Sequence, residues 1–225
     1  MSNGTLAVIP ARGGSKGLPR KNLALVAGEP LIVHTIRAAR AATTVDRVVV
    51  STDDAEIAET ARGAGAEVVL RPDRLAADDS PTEDALLHAL EDLGTDPELV
   101  VTLEPTSPLR TPELIDACVH LARERDADAV ITVTETRSIY GRLDGETFRP
   151  LFDGQARRRQ LREPLYAESS TVYVTRTAHL RKTRSVVGPR VYALVVPEEQ
   201  ALDVNTAHDL AVADALLTAA RLERP

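Results

Sequence analysis

The stretch Leu6-Ala-Val-Ile-Pro-Ala-Arg-Gly-Gly-Ser-Lys-Gly-Leu-Pro-Arg-Lys-Asn22 joins a short apolar run to a turn rich in glycine and basic residues. The apolar run predicts a buried β-strand. Three cations of the turn, Arg12, Lys16 and Lys21, can neutralise phosphate oxygens. The turn's glycines, which lack a Cβ, are Gly13, Gly14 and Gly17, and they leave room for backbone N–H groups to approach an anion. The sequence therefore predicts a nucleoside-triphosphate site directly after the first strand.

Two common phosphate-binding loops do not fit this spacing. A P-loop places lysine directly after its last glycine and follows it with Ser or Thr, whereas Lys16 precedes Gly17. The dinucleotide-binding pattern G-x-G-x-x-G is also absent from this turn. A P-loop ATPase and an NAD-dependent enzyme are therefore disfavoured, and a basic surface loop without a ligand is the remaining alternative.

Short valine-rich runs alternate with segments of helical period along the first part of the chain. The predicted strands cover residues 6–10, 47–51, 67–70, 99–103 and 129–133, and the predicted helices cover residues 31–42, 55–64, 83–93 and 113–123. Continuous apolar strands that alternate with helices are typical of a sheet covered on both faces. The sequence predicts a three-layer α/β fold with a mostly parallel, twisted sheet.

The repeat breaks after residue 133. Residues 135–170 are rich in Arg, Gly and Asp, and we interpret them as an insertion that makes subunit contacts or part of a substrate site. Strands are expected again at 171–175 and 192–196, followed by an amphipathic helix over 207–222 that could cover the sheet. No Ser/Gly/Pro-rich linker divides the 225 residues, so a single domain over residues 1–225 is expected.

Polar residues follow many of the predicted strands. Ligands of open α/β sheets lie beyond the carboxyl ends of the strands, so we expect these residues to converge on one cleft. They are Arg12, Asp53, Arg71, Glu104, Thr134 and Asp203. Capping-box spacing, in Asp53 with Glu56 and in Thr206 with Asp209, predicts the starts of two helices.

The composition limits the class of partner. The formal net charge is −7, so the basic turn is a local feature that suits a small anion better than a nucleic acid. The single cysteine, Cys118, excludes an internal disulfide and falls in an apolar helical pattern. No signal peptide or membrane span is evident, and a cytoplasmic location is expected.

Four sequence blocks resemble those of the acylneuraminate cytidylyltransferases, which activate sialic acids and related nonulosonates as CMP-sugars. The blocks are Ile9–Asn22, Val48-Val-Val-Ser-Thr-Asp-Asp54, Leu70-Arg-Pro-Asp-Arg-Leu-Ala76 and Pro105-Thr-Ser-Pro-Leu-Arg110, with a weaker fifth at Leu202-Asp-Val-Asn-Thr206. The resemblance implies a Rossmann-like nucleotidyltransferase fold, a homodimer, and a small dimerisation region within the insertion. It also implies CTP and a small acidic acceptor as substrates.

The resemblance assigns roles to individual residues. Arg12, Lys16 and Lys21 would hold the CTP phosphates within a turn that includes Gly14 and Ser15. Residues expected to frame the cytidine are Ala11, Gly13, Asn22, Arg71 and Thr82. The implied reaction is in-line attack by an acceptor hydroxyl on the α-phosphate, with release of pyrophosphate.

The resemblance also implies Mg²⁺, for which the matching pair is Asp203 and Asn205. Asp203 is expected to be the main ligand and is a candidate to receive the proton. The family typically carries a second aspartate where this chain has Asn205, so weaker metal binding is expected. Asn205 and Thr206 could instead simply start the last helix, because both residue types are favoured helix caps.

Other departures fall on the acceptor side. Glu104 stands where relatives commonly have Gln, and a carboxylate there would prefer a cation or a polyol. In the segment from Tyr166 to Tyr173, Ala167, Ser169 and Ser170 lack the Arg, Asn and Gly that help relatives to receive the acidic sugar. Arg158, in a run of three arginines, could hold an acceptor carboxylate or phosphonate, or could be solvated.

Three functions are consistent with these residues. The first is a cytidylyltransferase acting on a sialic acid or related nonulosonate. The second is the same reaction on a non-sialic acceptor, such as a phosphonate or an unusual sugar acid. The third is a nucleotide-binding protein with weak or no turnover, for which Asn205 is the only direct motive.

Overall fold

The computed structural model describes residues 4–14 and 17–222, so the predictions for Ser15 and Lys16 lie outside the described residues. The strands are β1 (Thr5–Pro10), β2 (Leu25–Val26), β3 (Glu29–Pro30), β4 (Arg47–Thr52), β5 (Glu67–Leu70), β6 (Leu99–Thr102), β7 (Ala129–Thr136), β8 (Gly141–Asp144), β9 (Thr147–Pro150), β10 (Leu165–Arg176) and β11 (Val191–Val195). The helices are α1 (Leu31–Ala41), α2 (Ala55–Gly63), α3 (Thr82–Asp92), α4 (Pro112–Glu124), α5 (Thr177–Thr183) and α6 (Ala207–Leu222).

Seven strands form one sheet in the order β11-β7-β10-β6-β1-β4-β5. Strand β1 lies near the centre and pairs in parallel with β4 and β6, while β5 extends the sheet in parallel beyond β4. Only β10 runs antiparallel to its sheet neighbours β6 and β7 among the described strands. The predicted α/β fold with a mostly parallel sheet is confirmed.

Helices cover both faces of this sheet. On one face, α1, α2 and α4 bury side chains such as Ile36, Ile57 and Ile115 against the sheet, and Cys118 of α4 lies in the same core. On the other face, α3 and α5 bury Leu86 and Leu180. Because both faces are covered, the central strands are apolar along their whole length, as their sequences predicted.

The inserted segment is shorter than predicted. Strand β7 continues to Thr136 and β10 begins at Leu165, so the excursion from the sheet covers residues 137–164 rather than 135–170. The polar ends of the two strands pair across an antiparallel ladder, with Tyr166 opposite Glu135. These strand ends are largely exposed and carry few apolar side chains, so the local sequence contains no clear strand signal there. The excursion contains the hairpin formed by β8 and β9.

The last helix does not cover the sheet, so that expectation was wrong. Helix α6 packs instead against the small β2–β3 hairpin and the start of α1, where Ala213 and Leu217 join a cluster with Val26, Leu31 and Val204. The sheet faces are already occupied by the other helices, so the apolar side of α6 finds its partner at the edge. None of the described helices is both long and apolar enough to cross a membrane.

Side-chain caps fix the starts of several helices. Asp54 accepts from two backbone N–H groups at the start of α2, so the predicted cap, Asp53, was off by one residue. Thr206 and Asp209 form the predicted reciprocal capping bonds at the start of α6. Thr111 caps α4 directly before its first-turn proline.

One buried arginine ties several elements together. Arg110 is 4% exposed and donates to the backbone oxygens of Glu104 and Thr171 and to the hydroxyl of Thr35. Burial lowers the pKa of Arg110 to about 9, which is still above neutral pH, so the guanidinium keeps its charge. Arg110 thereby fixes the loop after β6 relative to β10 and α1.

We expect Arg110→Met to lower the free energy of unfolding by about 3 kcal/mol, because the carbonyls that it serves lose a charged donor in a buried environment. Urea unfolding followed by circular dichroism measures this change. Arg149→Met is the control, since Arg149 forms an exposed pair with Asp144, and its loss should cost less than about 1 kcal/mol. Equal effects of the two substitutions would contradict this role for Arg110.

Candidate active site

The glycine-rich turn leaves the carboxyl end of β1 and is closed at its base by two hydrogen bonds. The backbone N–H of Ala11 donates to the carbonyl of Ser51 at 2.9 Å, which extends the pairing of β1 with β4. The side chain of Asn22 donates to the carbonyl of Arg12 at 3.0 Å. Ala11 and Asn22 are buried, so they position the turn through its base.

One side of the turn lies against the start of α2. The backbone N–H of Gly13 donates to Asp53 at 3.0 Å, and a Cβ at Gly13 would lie 2.7 Å from an oxygen of Asp54. Arg20 pairs with Asp54 and Glu56, and its bond to Asp54 holds the pKa of that carboxyl below its usual range. Only glycine allows the chain to approach Asp54 this closely at position 13.

The other side of the turn lies against the segment before α6. A Cβ at Gly17 would lie 2.6 Å from the backbone oxygen of Asn205. The Lys21 ammonium donates to Asn205 Oδ1 at 2.8 Å, and Asn205 Nδ2 donates to Asp203 Oδ2 at 2.6 Å. Burial lowers the pKa of Lys21, while the nearby charges of Asp203 and Glu104 act in the opposite direction.

A cavity of about 260 Å³ opens beside the turn, and we call it the arginine cavity. It is lined by Pro10, Arg12, Arg71, Leu75, Ala77, Asp78, Ser80, Pro81, Thr82 and Glu104. Arg12 pairs with Asp78 at 2.7 Å. Arg71 is 7% exposed, lies 3.9 Å from Asp53, and has a buried Nε without a hydrogen-bond partner among the described residues. The free N–H of Arg71 can serve a polar ligand.

Glu104 lines the arginine cavity on the side of β6. Burial raises the pKa of its carboxyl, and the charge of Asp203 raises it further. The loop that follows is tied to the segment before α6, because the N–H of Val204 donates to the carbonyl of Thr106 at 2.8 Å. The arginine cavity and the Asp203 segment therefore adjoin each other through Glu104 and Lys21.

The strand-end residues converge as expected, with one exception. Arg12, Arg71 and Glu104 line one cavity, with Asp53 and Asp203 at its borders. Thr134 does not join them, and its predicted place in the cleft was wrong. It lies inside β7, opposite Ala167, and lines a separate cavity of about 400 Å³. That cavity, the insertion cavity, is lined by Thr134, Glu135, Thr136, Arg137, Ser138, Tyr140, Arg159, Arg162, Ala167 and Glu198.

Two predicted acceptor residues lie in the inserted region. Tyr166 stands on β10 and is 52% exposed, and Arg158 is an exposed residue before the short helical turn Arg159–Leu161. Neither lines the arginine cavity. The arginines that line the insertion cavity are Arg137, Arg159 and Arg162, of which only Arg159 belongs to the run of arginines predicted from the sequence. The run of arginines at 157–159 indicated the region that contains this cavity, but it did not indicate which arginine lines it.

The partner of Arg12 was also missed. Asp78 lies in the loop between β5 and α3, and its carboxylate holds Arg12 against the wall of the arginine cavity. The sequence signal was weak, since Asp78 is one of two adjacent aspartates that do not directly follow a strand.

Gly17→Ala should lower the free energy of unfolding by about 1–3 kcal/mol, because the added methyl group must displace either the turn or the backbone at Asn205. Gly14→Ala is the matched control in the same turn. Among the described residues, no atom lies within 4 Å of a Cβ at Gly14, so we expect a change within about 0.5 kcal/mol. Thermal unfolding of the ligand-free protein measures both, and a Gly17 variant as stable as the Gly14 variant would argue against the close approach.

Known proteins resemble this chain over most of its length. The family model described as cytidylyltransferase matches residues 6–198. An N-acylneuraminate cytidylyltransferase of Streptococcus agalactiae serotype V is 33% identical over 211 residues, which cover 91% of this chain and 51% of that protein. The chain thus spans about half the length of the first curated relatives that it matches. A CMP-N,N'-diacetyllegionaminic acid synthase of Legionella pneumophila is 33% identical over 94% of this chain and 95% of that protein.

Solved structures share the fold at low sequence identity. A CMP:2-keto-3-deoxy-manno-octonic acid synthetase complexed with CTP superposes with a TM-score of 0.73 and 17% identity, covering 96% of this chain and 99% of that one. A 4-diphosphocytidyl-2C-methyl-D-erythritol synthase of Anaerococcus prevotii gives a TM-score of 0.70 at 16% identity, covering 96% of each chain. The matched family model and the relatives at 33% identity together establish that the chain belongs to the cytidylyltransferase family.

Proposed function

We propose that this chain is a CTP-dependent nucleotidyltransferase that couples CTP to a hydroxyl of an acidic sugar and releases pyrophosphate. Membership of the cytidylyltransferase family supports the nucleotide. The acceptor class is supported by relatives named for N-acylneuraminate, diacetyllegionaminic acid and 3-deoxy-manno-octulosonate. The legionaminic acid synthase is the relative matched over nearly its whole length. A cytoplasmic site of action remains a prediction.

One observation carries the proposal: the basic turn after β1 lies beside the arginine cavity, and two of its cations, Arg12 and Lys21, are held by Asp78 and Asn205. Arg12 and Arg71 stand on the walls of the cavity, and Lys21 lies between it and Asp203. Lys16 belongs to the same turn by sequence. Phosphoryl transfer depends on positioning and charge neutralisation more than on covalent chemistry, and cations that are fixed in advance need no reorganisation during the reaction.

In the proposed complex the cytidine occupies the arginine cavity. Arg71, through its unpaired Nε, and the first residue of α3, Thr82, offer donors to the base or ribose. Gly13, Gly14 and Ser15 follow Arg12 and lead the triphosphate along the turn toward Lys21. An acceptor hydroxyl would then approach the α-phosphate from the side of Glu104 and Asp203.

Asp203 is a suitable ligand for Mg²⁺. Its Oδ1 is shielded from solvent and has no hydrogen-bond partner among the described residues. Within residues 4–14 and 17–222 no group of three or more His, Cys, Asp or Glu side chains could hold a metal. At nucleotide sites Mg²⁺ is usually bound by one or two carboxylates together with phosphate oxygens and water. When bound, Mg²⁺ would neutralise phosphate charge and make the attacking hydroxyl more acidic. Asn205 stands beside Asp203 as the second predicted ligand.

We also propose that the chain acts as a homodimer through the inserted region. Five of its apolar side chains are at least half exposed: Leu143, Phe148, Leu151, Phe152 and Leu161. Apolar clusters of this kind on a protein surface mark interaction sites. The insertion cavity, with its three arginines, lies in the same region and could receive the acceptor's acidic group, in a role that the sequence suggested for Arg158.

A non-sialic acceptor is the second candidate, and one contact favours it. The Ser169 hydroxyl is buried and donates to the Thr132 hydroxyl at 2.8 Å, so this group is already engaged within the sheet. Ala167 offers no polar group at all. The segment from Tyr166 to Tyr173 therefore supplies fewer donors for a sialic acid than the resemblance implies.

The central test is pyrophosphate release from CTP with Mg²⁺ and a panel of acidic acceptors: sialic acid, a legionaminic acid, 3-deoxy-manno-octulosonate and phosphonates. We expect release with at least one acceptor, and Arg12→Ala and Lys16→Ala should each reduce it at least about 100-fold, because each removes a charge that stabilises the transition state. Circular dichroism should show an unchanged fold.

Arg47→Ala is the control for this experiment, because Arg47 pairs with Glu67 at the start of β4, at the far end of the sheet from the turn. It should keep the original rate. Wild-type kinetics in the Lys16 variant would refute the assignment of the turn. Binding of CTP without release from any acceptor would favour a nucleotide-binding protein with no turnover.

Light scattering after size-exclusion chromatography tests the homodimer. We expect the mass of two chains for the original protein and of one chain for Leu143→Arg, because the charge would be buried at an apolar contact. Leu25→Arg, at another exposed leucine, which lies outside the insertion, should remain dimeric. A monomeric original protein would disprove this part of the proposal.

A further inference from the structure

The metal site implied by the proposed function lacks an available second ligand at Asn205. Both polar atoms of the Asn205 side chain are already engaged: Oδ1 accepts from Lys21 at 2.8 Å, and Nδ2 donates to Asp203 at 2.6 Å. The amide oxygen has a second lone pair, but a cation bound there would lie against the ammonium of Lys21 and be repelled by its charge. Asn205 therefore serves as a bridge between Lys21 and Asp203.

Glu104, unlike Asn205, offers a carboxylate to a cation. Its side chain is partly buried at the edge of the arginine cavity, and among the described residues no hydrogen bond or ion pair reaches its carboxylate. Arg110 holds the backbone carbonyl of Glu104 rather than its side chain. A carboxylate removed from water without a partner is costly, and pairing with a cation is the usual remedy.

Glu104 and Asp203 lie on two loops that are joined directly. The bond from Val204 N–H to the Thr106 carbonyl, 2.8 Å long, ties the segment that carries Asp203 to the loop that carries Glu104. Both carboxylates act electrostatically on Lys21, and Asp203 acts on Glu104. Two neighbouring carboxylates, one with a shielded and unpartnered oxygen, form a place where a divalent cation relieves their mutual repulsion.

We propose that Glu104, and not Asn205, is the second protein ligand of the divalent cation, alongside Asp203. The inference rests on the proposed function for the identity of the ion. Two carboxylates leave most of the coordination sphere to phosphate oxygens and water, as is usual for Mg²⁺ at nucleotide sites. Asn205 then has a positioning role, since it orients Asp203 and keeps Lys21 beside the nucleotide phosphates.

Binding of Mn²⁺ alone to the full chain tests this assignment, with free Mn²⁺ measured by electron paramagnetic resonance. Glu104→Gln keeps the shape of the side chain and should weaken Mn²⁺ binding at least about tenfold, the loss expected when a ligand of a metal site is removed. The double variant Glu104→Gln with Asn205→Asp returns a carboxylate to the other side of Asp203 and should recover most of that loss.

Glu168→Gln is the matched control. Glu168 is an exposed carboxylate that accepts from the Tyr173 hydroxyl at 2.9 Å. Burial raises the pKa of Tyr173, and the negative charges of Glu168 and Glu104 raise it further. Glu168→Gln removes one negative charge near the site without removing a metal ligand. Because solvent screens this charge, Mn²⁺ affinity should change by no more than about twofold. Thermal unfolding without metal must show that every variant is folded.

The outcomes separate the two proposals. Undiminished Mn²⁺ binding in the Glu104 variant, an equal loss in the Glu168 variant, or no binding by the original protein would overturn the ligand assignment. Pyrophosphate release by the original protein is measured in parallel. If the original protein releases pyrophosphate and the Glu104 variant binds Mn²⁺ undiminished, Glu104 is not a metal ligand and the proposed function stands. If only the Glu104 variant loses Mn²⁺ affinity and the original protein releases no pyrophosphate with any acceptor, the metal ligand is supported and the proposed function is wrong.

Discussion

The confinement of the basic turn between two acidic segments is the constraint on which the rest of the site depends. Asp53 and Asp54 hold the turn on one side, and Asp203 with Asn205 hold it on the other. The separation of these segments is set by β1 and its neighbours in the sheet. In the described part of the turn, Arg12, Arg20 and Lys21 would repel one another, and each is paired with an acceptor: Asp78, Asp54 and Asn205 respectively.

The strand-to-helix order and the convergence of several strand-end residues on one cavity could be predicted from local sequence. Runs such as Val48-Val-Val50 can only be buried on both sides, and helices on both faces follow from that. Residues after parallel strands meet at one edge of the sheet by geometry, which is why Arg12, Arg71 and Glu104 line one cavity. In these cases short-range pattern and global topology lead to the same answer.

The mistaken elements share a physical cause. An amphipathic pattern shows that α6 has an apolar side but not which surface is free to cover it, and the hairpin at Val26 is too short to stand out. Thr134 was misplaced because the polar, antiparallel end of β7 looks like a loop. The Arg12–Asp78 ion pair and the place of Glu104 in the cavity wall depend on how distant segments pack together, which the local sequence does not show.

On the proposed function, the polyphosphate would bind beside acidic as well as basic side chains. Asp203 and Glu104 adjoin the basic turn, so an entering triphosphate meets carboxylates as well as the cations of that turn. On the proposed function, a divalent cation converts this repulsion into attraction, since it can be shared between carboxylate and phosphate oxygens. Nucleotide and cation then favour each other's binding, because either one alone leaves charges of one sign unbalanced. Lys21 contributes most directly to this coupling, because Asn205 holds its ammonium close to Asp203.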